Sequence, residues 1–221
     1  NTPSITDDRV DGADIYLTIH NTIQLKLENA VKEIDDAYDL AWMTITVADA
    51  KTGAIVGSAS SPSFDPNTLD INSYLTPLTQ YAYEPGSTMK VFSFMAAMEN
   101  GVYKGDDTYQ SGTLNIGDIT IKDFNNVGWG VITYDQGFSY SSNVAAAKLA
   151  QKLGKDRLKA YYELLGFGSK TGIELPNESS GKIDFKYDIE ISNAAFGQGI
   201  TTTPIQNIQA LTSIANDGIM L

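Results

Sequence analysis

Cysteine is absent from the 221 residues and histidine occurs once. Without cysteine there are no disulfides and no thiolate metal sites, which suits a secreted protein that dispenses with disulfides and a cytosolic one equally well. The single His20 falls in a turn between a predicted strand and helix, with no ligand cluster around it, so no metal or other cofactor is expected. No apolar run approaches the roughly 20 residues that span a bilayer. The opening Asn1-Thr2-Pro3-Ser4 has no signal-peptide character, so any targeting segment is expected to be removed or to lie outside this sequence. A basic run is also missing. Lys and Arg total 15 against 27 Asp and Glu, and a net charge of −12 argues against nucleic acid or an anionic membrane surface as partner. What is present is a 42% hydrophobic complement, ample for the core of one large domain, or of a domain and a small lobe.

Along the chain, Ile15-Tyr16-Leu17-Thr18-Ile19 reads as a short strand, and apolar Ile23, Leu27, Ala30, Val31 and Ile34 predict an amphipathic helix over Thr22–Tyr38. Residues 42–47 and 54–58 flank Asp49-Ala50-Lys51-Thr52-Gly53 and predict an antiparallel hairpin. A polar connection from Ser60 to Tyr81 follows. A strand is expected from Asn115 to Ile121, leading into the glycine-rich loop 123–130, where Phe124 and Trp129 either wall a cleft or pack on the core. Helices are expected over 133–138, 144–153 and 155–165. Another spans 204–216, with Thr203 as N-cap, Pro204 at its first position, Gln206 completing a capping box and Gly218 beyond its end.

The most informative stretch is Glu84-Pro85-Gly86-Ser87-Thr88-Met89-Lys90. Pro85 and Gly86 break the preceding element and an apolar run follows, so a helix begins within a residue or two of Ser87. Unpartnered N–H groups at a helix start stabilise a developing oxyanion, and Lys90 at i+3 brings an amine to the serine hydroxyl. A serine hydroxyl needs such a base, and the amine serves only where burial or another cation keeps it neutral. The plain alternative is Ser87 as N-cap with Lys90 solvated. S-x-x-K is weak by itself, roughly one being expected by chance in this length. A second copy, Ser179-Ser180-Gly181-Lys182, has no apolar helix behind it and reads as a loop. Between two helices, Tyr140-Ser141-Ser142-Asn143 offers hydroxyls that relay protons and an amide that holds a lysine or a peptide carbonyl. A helix N-cap is its alternative.

With these stretches in order, together with Ser61-Pro62-Ser63-Phe64-Asp65-Pro66-Asn67, Thr171-Gly172-Ile173-Glu174-Leu175-Pro176 and Gly197-Gln198-Gly199-Ile200, the chain resembles the transpeptidase domain of class B penicillin-binding proteins, most like the Gram-positive septal type. The resemblance implies an α/β (α+β) fold of the penicillin-binding and β-lactamase-like kind: an antiparallel sheet flanked by helices, plus an all-helical lobe. Residues 1–221 would be the N-terminal and central part of that domain. By resemblance Ser87 is the acyl-enzyme nucleophile, Lys90 its general base, Ser141 a proton shuttle and Asn143 the holder of the peptide amide. Glu84, Phe124 and Trp129 are candidates for the substrate cleft. The implied reaction cross-links peptidoglycan stem peptides through D-Ala-D-Ala, and β-lactams would acylate Ser87. Cell-division proteins as partners, an upstream single-pass anchor and an extracytoplasmic location are implied likewise.

The family's third motif, K-T-G on a cleft strand, has no fitting counterpart. Lys51-Thr52-Gly53 is a hairpin turn, and Lys170-Thr171-Gly172 precedes a loop expected to be structural. The last strands and that motif are therefore expected on a separate or additional segment, without which this stretch alone would be inactive. A non-catalytic penicillin-binding sensor or division scaffold is the alternative function. A β-lactamase is a weaker one, because Glu174 and Glu178, the tempting water activators, lie in that structural loop.

Overall fold

The structure, a computed structural model, describes residues 11–65, 67–68 and 73–221. Asn1–Ser4, Pro66 and part of the predicted 60–81 connection lie outside the described residues. Helix α1 (Asn21–Ala37) lies against an antiparallel hairpin of β1 (Met43–Ala48) and β2 (Ile55–Ser61). The Gln24 amide docks the helix by giving a hydrogen to Ser58 O at 2.8 Å and accepting one from Ser58 N at 2.9 Å, which copies a strand-to-strand pair. The hairpin turn is set by Asp49, whose Oδ1 accepts from the amides of Lys51 and Thr52 and the Thr52 hydroxyl.

After α2 (Pro77–Gln80), a single 3₁₀ turn (Gly86–Thr88) opens into α3 (Met89–Glu99). Four short strands follow in two antiparallel pairs: β3 (Thr108–Gln110) pairs with β6 (Val131–Thr133), and β4 (Thr113–Ile116) pairs with β5 (Ile119–Lys122). Then come α4 (Tyr134–Ser139), α5 (Asn143–Leu153), α6 (Lys155–Leu164), α7 (Asp188–Ala194) and α8 (Pro204–Ala215).

Helix α3 is buried on nearly every side. Met89, Phe92, Phe94, Ala96 and Ala97 enter one core with Val144, Leu149, Leu158, Tyr162 and Phe167. Ala145, Ala146 and Ala147 of α5 have no exposed surface, and their small side chains let α5 lie close to α3 and α7. Buried Ser93 ties the layers together, its Oγ lying 2.7 Å from Tyr162 Oη and 2.6 Å from Ala195 O.

Two sequence expectations are corrected. Residues 15–19 form no strand: Ile15, Tyr16 and Leu17 are exposed, and the chain here meets β2 not in a ladder but through two hydrogen bonds, Thr18 Oγ1 to Ile55 O and His20 N to Val56 O. Alternating apolar residues make a strand only where a neighbouring ladder takes up their backbone groups. The predicted strand 115–121 is a hairpin, because Gly117 at φ 56° turns the chain between β4 and β5.

Candidate active site

The turn that carries Ser87 is held from outside. Tyr83 and Thr202 exchange backbone hydrogen bonds of 2.9 Å each way, Gly86 N donates to Gly197 O at 3.0 Å, and Gly199 N donates to Glu84 Oε1 at 2.8 Å. Thr88 Oγ1 closes the turn on Pro85 O at 2.7 Å. Gly86 takes a left-handed φ of 58°, after which the chain enters α3 with Ser87 exposed at its mouth. The i+3 spacing within that first turn sets Lys90 Nζ 2.9 Å from Ser87 Oγ.

Lys90 is only 3% exposed. Its Nζ also donates to Ser141 O at 2.6 Å and to Ser141 Oγ at 2.9 Å. Burial lowers its pKa from 10.5 to about 8, against the opposing pull of the Asp123 charge. As an ammonium it gives a hydrogen to each of three oxygens. As an amine it keeps two hydrogens for Ser141 and points its lone pair at the Ser87 hydroxyl, which is the arrangement a base needs.

Ser141 reaches Lys90 from the sharply bent link between α4 and α5, with Ser141 itself at φ 54°. Ser142 is the N-cap of α5, its Oγ accepting from Ala145 N at 3.0 Å and donating to Asp123 Oδ1 at 2.8 Å. Asn143 begins that helix, and its Nδ2 donates to Lys122 O at 2.9 Å. Ser87, Lys90 and Ser141 thus meet at one place, and Asn143 stands two residues beyond Ser141, tied to the end of β5.

The three cleft candidates are differently placed. Glu84 spends a carboxylate oxygen on Gly199 N. Phe124, 73% exposed, contacts Trp129 with ring centres 5.6 Å apart, and Trp129 contacts Tyr140 at 5.0 Å, so an aromatic row leads to the residue before Ser141. The second S-x-x-K lies in a loop, where Lys182 pairs backbone groups with Thr201. Glu174 is exposed, and Glu178 is buried, with its oxygens accepting from Thr171 N, Thr171 Oγ1 and Gly172 N.

Sequence reasoning missed Asp123, which read as the first residue of a loop, and it missed what Gly197 and Gly199 brace. A polar residue directly after β5 is the only sequence signal for the first. The G-x-G spacing is the signal for the second.

A family described as the penicillin binding protein transpeptidase domain matches residues 43–221. The penicillin-binding protein PbpB of Mycolicibacterium smegmatis is 35% identical over 224 residues, covering 96% of this chain and 34% of that protein. The peptidoglycan D,D-transpeptidase MrdA of Escherichia coli is 30% identical over 239 residues, covering 95% of this chain and 37% of that protein. The crystal structure of penicillin binding protein 2X from Streptococcus thermophilus superposes with a TM-score of 0.87 at 35% identity, covering 99% of this chain and 33% of that one. The chain therefore spans little more than a third of the length of these relatives.

Proposed function

The chain belongs to the penicillin-binding protein transpeptidase family, and from that premise we propose that it carries the acylating residues of a serine-type peptidoglycan D,D-transpeptidase. The observation that carries this reading is the lysine bridge: one buried amine, 2.9 Å from Ser87 Oγ and 2.9 Å from Ser141 Oγ. Ser87 Oγ attacks the carbonyl carbon of the penultimate D-alanine of a stem peptide, and its proton passes to the neutral Lys90 amine. The tetrahedral oxyanion is met by N–H groups at the start of α3. The C–N bond then breaks, and the proton travels from Lys90 through the Ser141 hydroxyl to the departing D-alanine nitrogen. An amine from a second strand attacks the Ser87 ester and passes a proton through Ser141 to Lys90; the acyl C–O bond then breaks, Lys90 returns the proton to Ser87 Oγ, and the new amide leaves.

Asn143, anchored by one amide hydrogen to Lys122 O, offers its remaining amide groups to the peptide. The Phe124–Trp129–Tyr140 row lines the approach to Ser141, and Glu84 serves the cleft from behind, by holding the turn that presents Ser87. A β-lactam enters the same first step, but its leaving nitrogen stays tethered, so the ester persists. This chemistry belongs outside the cytoplasmic membrane, and that is where this reading puts the chain. No helix among the described residues is long and apolar enough to cross a membrane.

The test is intact-mass spectrometry of the full-length protein incubated with benzylpenicillin, followed by peptide mapping. The expected result is one adduct on Ser87 that Ser87→Ala abolishes. An adduct elsewhere, or one that survives the substitution, would sink the assignment. Release of D-alanine from a stem-peptide analogue separates a turning-over transpeptidase from a penicillin-binding sensor.

A further inference from the structure

Asp123 is a carboxylate in the wrong place for a loop residue. It is 1% exposed, directly follows β5, and has a hydrogen-bond partner on every polar atom. Oδ1 accepts from Ser142 Oγ at 2.8 Å and Val144 N at 3.1 Å, and Oδ2 accepts from Gly112 N at 2.8 Å. Its backbone N donates to Gly112 O at 2.9 Å, and its carbonyl accepts from Asn126 N at 2.9 Å. With Asn143 Nδ2 on the neighbouring Lys122 O, residues 142, 143 and 144 are all tied to the end of β5.

The residue just before these tethers is Ser141, held at φ 54°, a conformation costly for any residue with a Cβ and kept only where its surroundings dictate it. Released from Asp123, the turn is free to relax toward ordinary φ, and both Ser141 oxygens would leave the Lys90 amine. The carboxylate is also close to the lysine site: its partner Ser142 adjoins Ser141, whose two oxygens accept from Lys90 Nζ, and the Asp123 charge opposes the lowering of the Lys90 pKa by burial.

We propose that Asp123 is a positioning residue for the acylation machinery: it fixes the 141–144 turn so that Ser141 meets Lys90, and it places a negative charge beside the Ser141–Ser142 link that holds that lysine. This rests on the role assigned to Ser87 and Lys90 above, but its effect on Lys90 can be measured without any acylation.

The experiment compares parent and Asp123→Asn in the full-length protein. Asparagine keeps the shape and removes the charge and the acceptor for Gly112 N. Two quantities are measured: the titration midpoint of Lys90 by NMR of labelled lysine, assigned with Lys90→Arg, and the pH profile of the benzylpenicillin acylation rate. Expected are a fall of roughly one unit in the Lys90 midpoint, the same displacement of the acid limb of the profile, and a plateau lower by roughly ten- to a hundredfold. A merely structural carboxylate would lower Tm and leave the midpoint and the limb where they are, and that result in a folded variant overturns the proposal. If the parent itself is not acylated, the catalytic reading of Ser87 fails, while the Lys90 midpoint still decides the role of Asp123. Should Asp123→Asn not fold, Ser142→Ala keeps the charge and cuts one tether. It is expected to slow acylation several-fold with the Lys90 midpoint unchanged, and acylation as fast as the parent's would overturn the proposal.

Discussion

Lys90 sets the pH at which this site works. With its pKa brought down to about 8 by burial, the amine is the minority form at neutral pH and gains about tenfold per pH unit on the way up. The acylation rate should therefore rise with pH through a half-maximum near 8 and level off about a unit or more above it. Lys90→Arg keeps the positive charge and cannot give it up, so it should lose roughly 10²- to 10⁴-fold at the plateau, as measured by stopped-flow acylation. The same shift acts on stability. Between about 8 and the ordinary 10.5 the unfolded chain holds more protons at this position than the folded one, so this group's contribution to stability rises with pH across that window. Below about 8 its burial cost is present in full, and Lys90→Met should raise Tm most there. That Ser87 and Lys90 meet was legible from i+3 spacing at a helix start, and the polar turn 140–143 from three short polar side chains between helices. Asp123 was not legible, because its partners lie on Gly112, Ser142 and Val144, and only the fold brings those together.

Among the elements, the Gly197–Gly199 turn behaves as a brace for the 3₁₀ turn of Ser87. A Cβ on Gly197 would stand 2.2 Å from Gly86 O, while one on Gly199 would meet nothing within 4 Å, although both residues have left-handed φ, 78° and 72°. Gly199→Ala should thus cost only the conformational strain, on the order of 1–2 kcal/mol. Gly197→Ala adds a backbone collision and should lower Tm further and slow acylation, because the atom it strikes belongs to the residue before Ser87. Equal Tm and equal rates in the two variants would refute the brace. Helix α8 was legible to within a residue, since its capping box announces itself: Thr203 Oγ1 accepts from Gln206 N and Gln206 Oε1 from Thr203 N. Helix α7 went unseen for the opposite reason. It has seven residues, too few for a period to emerge, and its start is marked only by Glu190 Oε2 accepting from the amides of Lys186 and Tyr187. The short strands β3 and β6 were equally invisible, since three residues carry no alternation and their pairing is long-range.

At the scale of the whole molecule, charge is poorly balanced. Net −12 is carried on a surface whose ion pairs, among the described residues, are the exposed Lys32–Asp36, Lys51–Asp217 and Lys155–Asp156. Exposed pairs contribute about 0–1 kcal/mol each, so self-repulsion should dominate. Raising NaCl from 10 to 200 mM should then raise Tm, and a fall in Tm would show that the pairs outweigh the repulsion. Individual helices and the first hairpin followed from periodicity, and the mixed α/β class with its helical lobe from the resemblance. The division of the strands into separate pairs did not, because pairing depends on which distant segments meet. One such meeting bears on how the protein comes into being. Glu84 and Gly199 lie 115 residues apart, and their bond is among those that hold the serine turn. A growing chain has thus made its nucleophile long before it has made the means to aim it. The segment around Ser87 must wait unlocked until the region around Thr202 has been made, and the turn that presents the serine is fixed only then.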